Sequence, residues 1–297
     1  MNIFEKIEKI NIKSDSYPKP LKTIKNPPKI LYFIGKLVKN ESCLAIVGTR
    51  RCTNYGKEVA YDFSSKLSES GLTIVSGLAP GIDTAAHKAV VEEKKRTIAV
   101  LGSGLDAKNF YPKINLKLAE EIIKNDGLII SEYPPGMPGS KITFPARNRI
   151  IAGLSLGILV VEAPIKSGAL ITANYGFSEK RKIFAVPGSI YSQTSKGCHY
   201  LIKKGAKLVE NTNDILKELN LPSFETPFSK NEVQGDSLEE NLILNSLKGG
   251  VLNIDELIKK TALSPQKVAS TLTVLEMKNK IKNLGGNNFS LQRKYKI

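Results

Sequence analysis

Cysteine and histidine are scarce. Three cysteines, Cys43, Cys52 and Cys198, and two histidines spread over 297 residues supply neither a CxxC pair nor metal-ligand spacing. That excludes a disulfide framework and a His/Cys metal centre. No metal and no cofactor are expected, and a reducing cytosol suits this cysteine usage. Long apolar runs are missing too. The most apolar stretch, Leu154–Val161, falls far short of the roughly 20 residues that cross a bilayer. The opening MNIFEKIEKINIK has no apolar core of signal-peptide length. A soluble, cytoplasmic chain with no membrane partner is the expectation. No loop reads GxGxxG followed by an acidic ribose contact, and none reads GxxxxGK[ST], so neither a dinucleotide nor a P-loop nucleotide site is expected. Internal repeats are absent.

Acidic residues are outnumbered. Asp and Glu total 28 against 44 Lys and Arg, a net charge of +16. Such an excess fits an anionic partner, nucleic acid or a membrane surface, although lysines on solvated faces give the same total. Hydrophobic residues make up 41%, as in an ordinary globular protein, and the length suits one large and one small domain.

From Cys43 to Val209, short β-rich runs alternate with helical segments. CLAIVG, LTIVSG, TIAVLG, GLIISEY, GILVVEA, KIFAVPG and AKLV read as buried strands. Residues 54–70, 81–94, 113–124, 145–154, 169–180 and 195–204 read as helices. The alternation predicts an α/β fold: an extended Rossmann-like, doubly wound, mostly parallel sheet of about seven strands over residues 31–220. Residues 1–30, proline-rich and apolar, are expected as an extended lead-in packed on that domain. Residues 221–237 carry turn formers and charge without periodicity and read as a linker. Over 238–297, three helical segments precede two short strands around Gly285 to Asn288. This is the pattern of a small C-terminal winged helix, a helix-turn-helix variant. Ser264 and Pro265 suit the N-cap and first position of its third helix. The unit holds nine Lys and one Arg against five acidic residues, so most of the excess charge belongs to the large domain.

Strands of a parallel sheet end along one edge, and ligands bind there. Glycine marks several of these ends: Gly48 before Thr49 and Arg50, Gly77 after Ser76, Gly102 and Gly104, Gly168 after Ser167, and Gly188. Bare backbone admits a ligand closely, and helix starts offer free N–H groups to an anion. Phosphate binding is the expectation. Arg50, Lys113, Lys141, Arg147 and Arg149 bring cations to the same edge. Phe144 is either a stacking platform or an ordinary core aromatic. The run KITFPARNRIIAG puts Pro145 at a helix start and two arginines in its first turns, where the macrodipole disfavours cations. An anion held by both would explain them, and one of the two is expected to make a structural contact to Glu162 or Glu132. Asp83 and His87 stand at i and i+4 on one helix, and Asp83 reads as a cap supporting its loop. Glu132 and Glu162, at strand ends, read as partners of the arginines rather than as general acids. No catalytic residue is assigned.

The runs AIVGTR, VSGLAPGIDTAAH, VLGSGLD…YP, SEYPPG…FPARNRIIAGLS, VVEAPIKSGALITANY and FAVPGSI, in that order, resemble the DNA processing protein A family, DprA or Smf. YPKPLKTIKNPPKILYFIG is similar to that family's lead-in. The likeness is collinear from Tyr17 to Val209, and many members carry a C-terminal winged helix. It implies a cytosolic, non-catalytic homodimer that binds single-stranded DNA, without sequence preference, on its Rossmann domain. It further implies loading of RecA recombinase onto incoming DNA during natural transformation. Carried over by motif, the DNA contacts fall on Arg50, Lys113, Lys141 and Phe144, with Gly48, Gly77 and Gly168 lining a phosphate pocket.

Two other readings stand beside this one. Arg147–Ser155 followed by VVEAPIKSGALITA is also similar to nucleoside-monophosphate phosphoribohydrolases of the LOG type, but Thr172 and Ala173 stand where those enzymes carry an acid. Alternatively, the winged helix is a duplex-DNA regulator. Its third helix region offers Lys267, Lys278 and Lys280, no arginine, and only Gln266 near its start for base edges.

Overall fold

The strand-like runs from Cys43 onward form the centre of a nine-stranded sheet. The computed structural model describes residues 3–222, 235–248 and 250–291 and divides into two units, Met1–Phe224 and Glu225–Ile297. Most of the expected linker (223–234) and the last six residues of the chain lie outside the described residues. In the first unit the strands are β1 (Glu8–Asn11), β2 (Ile30–Gly35), β3 (Cys43–Val47), β4 (Thr73–Ser76), β5 (Thr97–Leu101), β6 (Leu128–Ser131), β7 (Gly157–Val160), β8 (Lys182–Ala185) and β9 (Lys207–Leu208). Their order is β1-β2-β6-β5-β4-β3-β7-β8-β9. Strands β3 to β9 are mutually parallel. The lead-in does more than pack on the sheet: it contributes β1, which pairs antiparallel with β2 at the start of the large domain, and β2 pairs antiparallel with β6.

The helices are α1 (Lys19–Lys22), α2 (Asn54–Glu69), α3 (Ile82–Glu92), α4 (Leu116–Lys124), α5 (Thr143–Leu154), α6 (Gly168–Ser178), α7 (Lys196–Lys203) and α8 (Thr212–Glu218). Every residue of β3 is buried, because its two sets of alternating side chains meet different helix layers. Cys43, Ala45 and Val47 pack with α5, α6 and α7. Leu44 and Ile46 pack with α2, α3 and α8. Strand order runs one way from β3 through β4 and β5 to β6, and the other way through β7 and β8 to β9. The carboxyl ends of β3 and β7 therefore flank a switch-point crevice, where a doubly wound sheet takes its ligands.

Helix α5 starts at Thr143, two residues before the proline. Pro145 occupies the third helical position, where an N–H would lack an intrahelical partner anyway. The sequence also hides α8, although its signal is present. Asn211 Oδ1 accepts from Asp214 N at 3.2 Å and Asp214 Oδ2 accepts from Asn211 N at 3.2 Å, a capping box.

The second unit is a winged helix: α9 (Leu238–Leu247), β10 (Leu252–Asn253), α10 (Ile254–Thr261), α11 (Pro265–Met277), β11 (Ile281–Asn283) and β12 (Asn288–Leu291). Its sheet has the order β10-β12-β11, one strand more than the expected hairpin. Its core is separate, formed by residues such as Leu244, Leu257, Leu272 and Phe289. Ser264 caps α11 by accepting from Lys267 N, and Pro265 follows at the first position. Among the described residues no helix is long and apolar enough to cross a membrane.

Candidate nucleic-acid interface

Two cavities open on the carboxyl edge of the large sheet and share one side chain, Phe144. The first, about 510 Å³, lies at the switch point. Gly48, Thr49, Arg50 and Arg51 line it from the loop after β3, Lys166, Ser167 and Gly168 from the loop entering α6, and Arg147 and Asn148 from α5. A side chain at Gly168 would meet nothing closer than 4.0 Å, so glycine leaves the start of α6 and its free N–H groups open to the cavity. Ser167, the residue before that helix, makes no cap bond, and its buried hydroxyl has no partner among the described residues.

The second cavity, about 670 Å³, is walled by Lys108, Tyr111 and Lys113 on one loop and by Gly139, Ser140 and Lys141 on the next. One backbone bond and one to a side chain stitch the two loops: Gly104 N donates to Met137 O at 2.8 Å, and Gly136 N donates to Asp106 Oδ2 at 2.6 Å. Burial opposes ionisation of Asp106, but the Gly136 and Asn109 N–H donors outweigh it and hold the carboxyl below its usual range. Ser140 and Thr143 bond reciprocally, Ser140 N to Thr143 Oγ1 at 2.8 Å and Thr143 N to Ser140 Oγ at 3.1 Å. That pins the loop carrying Lys141 to the start of α5. Phe144 divides the cavities. The Arg50 guanidinium lies 5.6 Å from its ring centroid, and Tyr111 lies 5.2 Å away at a 43° tilt.

The structure thus brings Gly48, Arg50, Lys113, Lys141, Phe144, Arg147, Ser167 and Gly168 around adjoining cavities. Arg51, Lys108, Tyr111 and Lys166 join them and were not singled out in the sequence. Arg51 sat beside Arg50, and Tyr111 in the YP pair, as legible signals. None of Arg50, Arg51, Lys108, Lys113, Lys141 and Lys166 is ion-paired among the described residues.

The remaining candidates are buried beneath the cleft or turned away from it, although Arg147 reaches the wall of the first cavity. Ser76 and Gly77 are buried and do not line either cavity. Ser76 Oγ donates to Ile46 O at 2.7 Å. A Cβ on Gly77 would come within 2.7 Å of the Arg147 guanidinium, so this glycine makes room for an arginine. Arg147 is 5% exposed. Its Nη1 donates to Gly77 O at 2.9 Å and to Val100 O, and its Nε to Asn148 Oδ1 at 3.1 Å. Beside it, buried Asp83 accepts from Gly77 N at 3.0 Å and from Ala79 N at 3.4 Å. Burial pushes the Asp83 carboxyl up against the pull of Arg147. Burial lowers Arg147 to about 10, which still leaves it cationic at neutral pH. Arg149 turns the other way, to Glu132 Oε1 at 2.5 Å and Asn26 O at 2.9 Å, and ties the lead-in to α5.

One expected partnership does not form. Glu162 has no arginine. Its buried carboxylate accepts from Thr53 N at 2.8 Å, Thr53 Oγ1 at 2.7 Å and Thr194 Oγ1 at 2.9 Å, joining the start of α2 to the Thr194 loop. In the winged helix, Lys267 pairs with Glu239, and Lys278 and Lys280 pair with Asp236 and Glu240.

These features define an extended Rossmann-like protein with a cationic, glycine-edged cleft at its switch point and an appended winged helix. The chain belongs to the DNA recombination-mediator protein A family: that family's model matches residues 8–220, and the DprA winged helix domain matches residues 229–287. It is 47% identical over 216 residues to DNA processing protein DprA of Streptococcus pneumoniae, covering 72% of this chain and 75% of that protein. It is 48% identical over 208 residues to protein Smf of Synechocystis, covering 68% of this chain but only 52% of that protein. Among solved structures, DprA from Helicobacter pylori superposes with a TM-score of 0.63 at 31% identity, over 72% of this chain and 96% of that one. That structure concerns its own protein's single-stranded DNA binding mode.

Proposed function

We propose that this chain binds single-stranded DNA, without reading its sequence, in the cleft around Phe144. We further propose that it hands that DNA to RecA recombinase in natural transformation and recombination, as a cytoplasmic, non-catalytic homodimer. One observation carries the binding reading: six cations without acidic partners line two adjoining cavities that also hold an aromatic ring and an open helix start. Some cations elsewhere on the chain are paired, as Arg96 is with Glu41 and Lys278 with Glu240; the cleft differs in gathering six without a pair among the described residues around one pair of cavities. Unpaired like charges repel, so a cluster of them suits a polyanion that supplies the missing negative charge. In this reading Arg50, Arg51 and Lys166 with the Gly48 and Gly168 amides hold phosphates, and Lys108, Lys113 and Lys141 track the backbone. Phe144 stacks a base. Ser76, Gly77, Arg147 and Arg149 act through the loops they hold. The family, with a relative whose structure concerns single-stranded DNA, supports the same partner. Among the described residues the one carboxylate that lines these cavities, Asp83, is held by Gly77 N and Ala79 N beside Arg147 and gives no support to hydrolysis, and the paired lysines in and just after α11 give none to duplex reading.

Fluorescence anisotropy of the full chain with single- and double-stranded oligonucleotides, across salt, tests this. Single strands are expected to bind more tightly, with affinity falling steeply as salt rises. Arg50→Ala and Lys141→Ala should each lower the log–log salt slope by about 0.7. Binding indifferent to salt, or a preference for duplex, would sink the reading.

A further inference from the structure

Tyr111 has a large ring at the surface and no evident structural duty. It is 44% exposed, and its hydroxyl makes no hydrogen bond among the described residues. The ring is nevertheless held in place. It lies against Phe144 at 5.2 Å and 43°, on a loop fixed to its neighbour through Gly104, Asp106 and Gly136. Phe144 carries the Arg50 guanidinium 5.6 Å from its centroid. Around the two rings stand Lys108, Lys113 and Lys141, all without an ion pair among the described residues. An aromatic face inside a ring of unpaired cations is complementary to a flat apolar group attached to an anionic chain, which is the chemistry of a nucleotide in a single strand. An apolar peptide would satisfy the rings and leave the lysines unmatched.

We propose that Tyr111 and Phe144 form a two-ring platform on which a splayed-out nucleobase of the bound strand stacks, giving the grip on DNA a base-dependent part beside its ionic one. This rests on the single-strand reading above and goes further. Binding stays blind to sequence order, but it discriminates composition, because a purine offers more stacking surface than a pyrimidine and an abasic residue offers none. Tyr111 serves by its ring, not by its hydroxyl.

The full chain is titrated at one salt concentration with strands of thymidine, of adenosine, and of thymidine with abasic residues at the centre. A fourth strand carries 2-aminopurine as a stacking reporter. Affinity is expected to follow adenosine, then thymidine, then abasic. Tyr111→Leu should lower affinity for base-bearing strands roughly 5- to 50-fold and restore 2-aminopurine emission, while binding of the abasic strand persists and shows that the variant is folded. Tyr111→Phe, which keeps the ring, should recover the affinity. Equal losses on abasic and base-bearing strands would overturn the platform. So would a Phe variant as weak as the Leu variant, which would mark a hydroxyl–phosphate contact, and so would a Leu variant with unchanged affinity. If the unaltered chain binds no single strand at any salt, the underlying reading falls and takes this one with it.

Discussion

Arg147 and Arg149 stand two positions apart on α5 and meet opposite surroundings. Arg147 points into the sheet, where the ends of β4 and β5 present carbonyl groups and Asp83 supplies the opposing charge. Arg149 lies near the surface on Glu132 and the lead-in. Removing a buried charge partner leaves the other charge and its hydrogen-bond groups unmatched, whereas a partly exposed pair is screened and worth little. Arg147→Met is therefore expected to cost about 3–5 kcal/mol of unfolding free energy and Arg149→Ala about 1 kcal/mol, read from urea denaturation. The sequence shows two arginines near a proline but not their phase around the helix. That phase depends on α5 starting at Thr143, which moves Arg147 to the fifth helical position, past the turn where the macrodipole is strongest. Glu162 misleads for a similar reason, since its threonine partners are 109 and 32 residues away along the chain.

Elements were more legible than side-chain partners. Six of the seven expected strands, β3 to β8, announce themselves by apolar runs, four of them ending in glycine, because a two-sided sheet needs continuous burial; the seventh, expected to be buried, is the two-residue edge strand β9, and both its residues are exposed. Strands β1 and β2 are harder to see. Glu8–Asn11 has a single buried side chain, and its pairing is decided by the edge it meets, not by its own pattern. The contact between α3 and β5 shows what no periodicity reveals. Thr97 Oγ1 donates its one hydrogen to Ile74 O at 2.6 Å, so at the 2.8 Å contact His87 Nδ1 must be the donor. Burial first, then the Arg147 charge, pulls the His87 value down to about 3. Above the ordinary histidine value of about 6.5, both folded and unfolded states are neutral and His87 contributes no pH dependence. Below it the unfolded imidazole takes a proton that the folded one refuses, so stability falls with pH until about 3, by up to about 1.4 kcal/mol per unit. His87→Gln should flatten that slope in denaturation midpoints measured between pH 6 and 4, and an unchanged slope would refute the assignment.

At the scale of the molecule, the net +16 is unevenly available. In the winged helix three lysines are already answered by Asp236, Glu239 and Glu240. On the sheet edge Arg50, Arg51, Lys108, Lys113, Lys141 and Lys166 have no such partners among the described residues. The large unit also has its own extensive core. A chain ending at residue 222 is therefore expected to keep single-strand affinity within about threefold and the same salt slope, measured by the same anisotropy titration; a collapse of either would move the binding surface to the winged helix. Charge totals were legible from composition, but which lysines are neutralised is a matter of tertiary neighbours. The bonds from Gly104 to Met137 and from Gly136 to Asp106 have a thermodynamic corollary. They order the walls of the second cavity when the chain folds, so few torsions remain to be frozen when a strand arrives, and the receptor enters the encounter in its preorganised shape.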